Sequence, residues 1–98
     1  MIETKEFTDM YLIAALLSYG FELVDLDRSN VNRQTYNFDN KETTVYVITS
    51  NGEVVAEIAD LFDVKRYYSA RTLLYPGSYP DVLKDLKQEI ISYRNDKK

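Results

Sequence analysis

The chain contains no cysteine and no histidine. The first absence excludes disulfides, thiol nucleophiles and thiolate metal sites. The second removes the usual general base near neutral pH and the commonest imidazole metal ligand. Glycine occurs only at positions 20, 52 and 77, which leaves no phosphate-cradling glycine loop. The longest apolar run, Leu12 to Leu17, is far too short to span a bilayer. The opening MIETKEFTD has neither a basic n-region nor an apolar signal core, so a soluble, cytoplasmic protein with no membrane partner is expected. Any serine, threonine or tyrosine nucleophile would have to rely on a lysine or a carboxylate. Neither an enzymatic activity, nor a cofactor, nor a resident metal is therefore expected.

What is present is an ordinary globular composition. The 98 residues are 45% hydrophobic and 29% charged, which fits one small domain over 1–98 with a thin stability margin. Nine of the thirteen aromatics are tyrosine. Tyrosine joins a large apolar body to a polar tip and suits interfaces, though it equally fills a small core whose edges stay wet. The net charge of −4 hides an asymmetry: residues 1–63 carry twelve acidic and four basic side chains, and residues 64–98 carry four acidic and eight basic. A surface polarised in this way steers charged partners, and intramolecular pairing accounts for it as well.

Along the chain, Thr8 stands as an N-cap with Asp9 behind it, and Phe7 and Leu12 occupy hydrophobic-staple positions. Apolar residues follow at Met10, Ile13, Ala14 and Leu17, widened by Tyr11, Leu12 and Leu16. Gly20 and Phe21 provide a Schellman-type stop. Phe21–Leu26 and Gln34–Phe38 read as strands, with Gln34, Tyr36 and Phe38 on one face, separated by the polar DRSNVNR. Thr43–Thr49 is strongly β-prone, and Ser50-Asn51-Gly52 supplies a type I′ hairpin dipeptide before a returning strand at Glu53–Glu57. The alternative there is a helical period through Val54, Ile58, Leu61 and Phe62. A stripe of Val64, Tyr67, Tyr68, Leu74 and Tyr75, interrupted by Arg71, predicts a helix that Pro76-Gly77 ends. Pro80 and Asp81 open a last helix whose buried face is Val82, Leu83, Leu86, Ile90 and Tyr93. The tail from Arg94 to Lys98 is expected to fray.

The order Phe7-Thr8-Asp9, apolar helix with Ala14-Ala15, Gly20-Phe21, short strand, then Tyr36-Asn37-Phe38-Asp39 resembles a family of small proteins of unknown function common in bacteriophages and prophages (DUF5659). The resemblance spans roughly residues 7–39, and the chain departs from the family pattern after Asp39, where its second hairpin is longer. It implies a mobile-element setting, hence the cytoplasm of a host cell, with no established enzymatic activity and no catalytic residues to carry over.

Four constellations remain. Asp25 to Asn30 resembles the first half of a calcium loop, but its twelfth position is Tyr36 and its glycine slot is Asn30, so a polar turn is the better account. Asp63-Val64-Lys65, with Asp39 or Asp60 as second carboxylate, is the minimal element of a metal-dependent nuclease. Asp63 as a helix N-cap is the plainer reading. Lys65, Arg66, Tyr67, Tyr68 and Arg71 combine cations for phosphates with rings for base stacking, the chemistry of single-strand binding. The competing account buries both rings, solvates Lys65 and Arg66, and leaves Arg71 to snorkel or pair with an acid. Val45–Ile48, apolar on both faces, should be covered on both sides or paired at an edge, which makes a homodimer a candidate.

The sequence thus predicts an α+β domain: a helix over 8–19, a small antiparallel sheet of three to four strands from about 21 to 58, and helices near 61–75 and 80–94. The expected function is a phage-type accessory protein acting on a protein partner or by self-association. Nucleic-acid binding through the basic–aromatic helix is the competitor, and a nuclease is the remote third.

Overall fold

The computed structural model describes residues 4–29 and 34–96. The architecture is α+β, in the order β1 (Thr4–Phe7), α1 (Met10–Ser18), β2 (Leu23–Asp27), β3 (Thr35–Asp39), β4 (Thr43–Ile48), β5 (Val54–Ala59), α2 (Leu61–Ser69) and α3 (Tyr79–Asp96). The strands divide between two antiparallel sheets, one ordered β1-β3-β2 and the other β4-β5. Residues 30–33 of the polar connection expected between the first two strands, including Asn30 of the calcium-loop pattern, lie outside the described residues. So do Lys97 and Lys98 of the tail. Ahead of them α3 continues to Asp96, two residues past the expected end at 94.

β1 corrects the sequence reading, which placed no strand before α1. Thr4–Phe7 is too short to show a period, and it is a strand because it pairs along β3, with Phe7 opposite Tyr36 and Lys5 opposite Phe38. The rings of Phe7 and Phe38 meet edge-on at 6.0 Å. On central β3, Tyr36 and Phe38 are buried, as is Gln34 just before the strand.

α1 starts one residue later than the sequence suggested. Asp9, not Thr8, is the N-cap, and its Oδ1 accepts from the Tyr11 and Leu12 N–H groups at 3.0 and 3.4 Å. The stop is the expected one: Gly20 takes φ +90° and its N–H donates to the Leu17 carbonyl, while the Phe21 N–H reaches the Leu16 carbonyl, each at 3.0 Å. Five consecutive residues, Leu12 to Leu16, are buried. A helix enclosed over so wide an arc lies inside the core rather than on its surface. α3 packs outside it, and among its described side chains Leu86 is the buried one.

Asp39 ends β3, and after three connecting residues the chain begins the second sheet. Val45, Val47 and Ala59 face the core. The hairpin turn is not type I′. Gly52 alone among the hairpin-turn residues has positive φ, and its N–H closes a turn onto the Thr49 carbonyl at 2.9 Å. That makes a three-residue connection with glycine at the left-handed position.

α2 ends at Ser69, well short of the expected residue 75. Arg71, with φ +62°, fills the position that Gly20 fills after α1: its N–H donates to the Tyr68 carbonyl at 3.1 Å, and the Thr72 N–H donates to the Tyr67 carbonyl at 3.0 Å. No glycine or proline marks this stop in the sequence. The released chain lies along β4, with a bridge between Val47 and Leu73 and bonds from Ile48 N–H to Thr72 carbonyl and from Leu74 N–H to Tyr46 carbonyl, each 2.9 Å.

Candidate interaction surface

The basic–aromatic segment does not stand out from the surface as one stripe. Tyr67 and Tyr68 pack against the core, while Lys65, Arg66 and Arg71 are exposed. Arg66 donates to Asp63 at 2.8 Å, and its guanidinium sits 5.6 Å from the Tyr67 ring centroid. Lys65 borders a cleft of about 190 Å³ whose walls include Glu6 and Asp9, so carboxylates share the space a phosphate would need. The Tyr68 hydroxyl donates to Asp9 Oδ2 at 2.9 Å. Burial first and the Asp9 carboxylate second push the Tyr68 phenol well above its ordinary pKa.

The carboxylates of the nuclease pattern are held by the backbone of α2. Asp60, rather than Asp63, is the N-cap; its Oδ1 accepts the Asp63 N–H at 2.9 Å, and Asp63 Oδ2 accepts the Asp60 N–H at 3.3 Å, a reciprocal capping box. Asp39 is paired with Lys41 at 3.2 Å. Within the calcium-loop pattern, Asp27 accepts the Ser29 N–H at 2.9 Å, which lowers its pKa. Arg28 is a structural hub that its polar surroundings concealed: it pairs with Glu89, donates to Gln34 at 3.1 Å and covers the Tyr93 ring at 4.7 Å. β2 is thereby tied to α3.

The residues of β4 and β5 that point away from the core are Thr44, Tyr46, Ile48, Val54, Ala56 and Ile58, paired across the hairpin as Thr44–Ile58, Tyr46–Ala56 and Ile48–Val54. None is charged. Ile58 is 69% exposed, Val54 59% and Tyr46 49%. A scattered exposed leucine means little, whereas a contiguous apolar sheet face is the feature that marks contact sites.

This face runs into a groove of about 430 Å³ lined by Tyr19, Tyr46, Val54, Leu74, Tyr75 and Pro76. The Tyr19 hydroxyl accepts from the Tyr46 N–H at 3.2 Å and donates to the Leu74 carbonyl, so it completes the ladder where the bridging segment leaves β4. Tyr75 and Tyr79 stack at 4.4 Å, and the Tyr79 hydroxyl donates to the Tyr11 carbonyl at 3.3 Å. Burial raises the phenols of both Tyr19 and Tyr79. Of the groove's rings, Tyr19 is thus fixed through its own hydroxyl and Tyr75 through its contact with the anchored Tyr79 ring. Fixed rings present contact area at low entropic cost.

The strand Val45–Ile48 was legible in sequence as a candidate surface. The contributions of Val54, Ile58 and the Tyr19–Tyr75 groove were not, because they come from a returning strand and from segments distant in the chain. No protein-family model, curated protein or solved structure matches this chain.

Proposed function

We propose that this chain is a non-enzymatic accessory protein that binds a protein partner through the outer face of the β4–β5 hairpin and the tyrosine groove beside it. The observation that carries this reading is the uncharged, exposed row of Tyr46, Ile48, Val54, Ala56 and Ile58. Covering such a row removes apolar area from water at about 25 cal/mol per Å². The aromatic rim at Tyr19 and Tyr75 supplies the anchor type that dominates interface energetics. The partner would be blocked by occlusion. A phage or prophage setting, with a host protein as target, follows from the resemblance of residues 7–39 and is part of the proposal.

Paired capture tests it. A partner retained by wild type and by Lys65→Ala/Arg66→Ala, and lost with Tyr46→Lys or Val54→Lys, is the expected result. The reverse pattern, or salt-sensitive binding of labelled single-stranded DNA that disappears with Lys65→Ala/Arg66→Ala, would transfer the function to the α2 cations.

A further inference from the structure

Beyond the outer face, the hairpin has an edge. β4 is flanked by β5 on one side and by the Thr72–Leu74 segment on the other, whereas β5 has β4 as its one neighbour among the described residues. Ile48 N–H and the Tyr46 carbonyl bond to that segment, so the even-numbered residues of β4 direct their backbone groups away from β5. In an antiparallel ladder, their cross-strand partners must do the same on the opposite side. Those partners are Val54, Ala56 and Ile58. Three N–H and three C=O groups are therefore aimed out of the free edge.

We propose that this edge pairs with the β5 edge of a second copy, antiparallel, about a two-fold axis at Ala56. That register sets Ala56 against its own counterpart and Val54 against the partner's Ile58, and it satisfies all three edge residues of each strand with six hydrogen bonds. A two-fold at Glu57 would leave only four such bonds among these residues and oppose two carboxylates. A two-fold at Val55 also drops Ile58 from the pairing. In the Ala56 register Glu57 lies opposite the partner's Val55. The segment Val54–Ala59 contains no proline, no lysine and no bulge, the devices that blunt edges against this pairing. Its one charge, Glu57, selects among registers. Pairing one strand edge makes a small interface, at the weak and transient end below ~1,200 Å², so a reversible, concentration-dependent dimer is expected. It also joins the two outer apolar faces into one.

Sedimentation velocity from about 5 to 500 μM reads the equilibrium directly. The expected result is a reversible monomer–dimer transition, with the Val54, Ala56 and Ile58 amides gaining hydrogen-exchange protection as concentration rises. Ala56→Pro removes an N–H that makes no bond to Tyr46, so the hairpin keeps its ladder while the dimer weakens by at least ~100-fold. If that variant does not fold, Val54→Lys/Ile58→Lys sets lysines opposite each other and must be monomeric. Mixing it with Val54→Glu/Ile58→Glu must then restore a heterodimer. A wild type that stays monomeric throughout, a folded Ala56→Pro that dimerises as wild type does, or charge variants that fail to pair would each overturn the proposal. The Ala56→Pro outcome does not decide whether the outer face binds a partner, because that variant leaves Tyr46, Val54 and Ile58 in place; the lysine and glutamate variants alter that face and are read for dimerisation alone.

Discussion

The Tyr68 hydroxyl donates to the carboxylate of Asp9 at 2.9 Å, across 59 positions of sequence. The same carboxylate caps α1 with its other oxygen. One side chain therefore starts the central helix and fixes α2 against it. Replacing Asp9 by alanine removes the cap and orphans the phenol, and should cost about 1–2 kcal/mol. Tyr68→Phe should cost about 1 kcal/mol. A double-mutant cycle by urea denaturation should give less than the sum of the two, and strict additivity would show that the pair is not coupled.

Alkaline stability follows from the phenols. Tyr19, Tyr36, Tyr68 and Tyr79 are all raised above their ordinary pKa, with burial the leading cause in each. In the unfolded chain they ionise near pH 10, while in the folded chain they hold their protons. The unfolded state thus binds fewer protons there, so this contribution is complete below about pH 10 and is lost as pH rises further. Urea midpoints should fall above pH 10, with a shallower slope in Tyr68→Phe. A flat profile would contradict the neutral phenols of the buried Tyr36 and the half-buried Tyr19, Tyr68 and Tyr79.

Two helices end in the same hydrogen-bonded motif with different residues at the left-handed position, Gly20 after α1 and Arg71 after α2. A Cβ at Gly20 would meet nothing within 4 Å, so Gly20→Ala is penalised by backbone conformation alone, at about 1 kcal/mol. Arg71→Gly should do the opposite and raise the melting temperature by a few degrees. A lower melting temperature would show that the exposed guanidinium contributes more than the strained backbone costs.

Phe38 is the largest fully buried side chain on the central strand. Phe38→Ala should cost about 3–5 kcal/mol, which approaches the whole stability of a domain of this size. Ile58→Ala, at the exposed end of the outer face, should change stability by less than about 0.5 kcal/mol. Comparable losses at the two positions would mean that the outer face is covered.

Local chemistry by itself determined the α+β class, the stop of α1 at Gly20-Phe21 and the alternation of β3. Capping, glycine conformation and a period of two act within a few residues, so they can be read wherever they occur. The start of α1 shifted by one because Thr8 and Asp9 are both competent caps and only the geometry of the turn chooses between them. β1 had no signal of its own, since Thr4–Phe7 is a strand only while β3 is beside it. The end of α2 was hidden for a related reason: Tyr67 to Tyr75 keeps a helical period, yet Leu73 gains burial and backbone partners against Val47 that a longer helix would forfeit. Tertiary structure also divided the strands into two sheets, turned Tyr67 and Tyr68 toward the core, and left β5 with an apolar outer face and, among the described residues, β4 as its one neighbour. Those outcomes depend on which distant segment pairs most favourably with a given backbone group, and no window of sequence contains both partners.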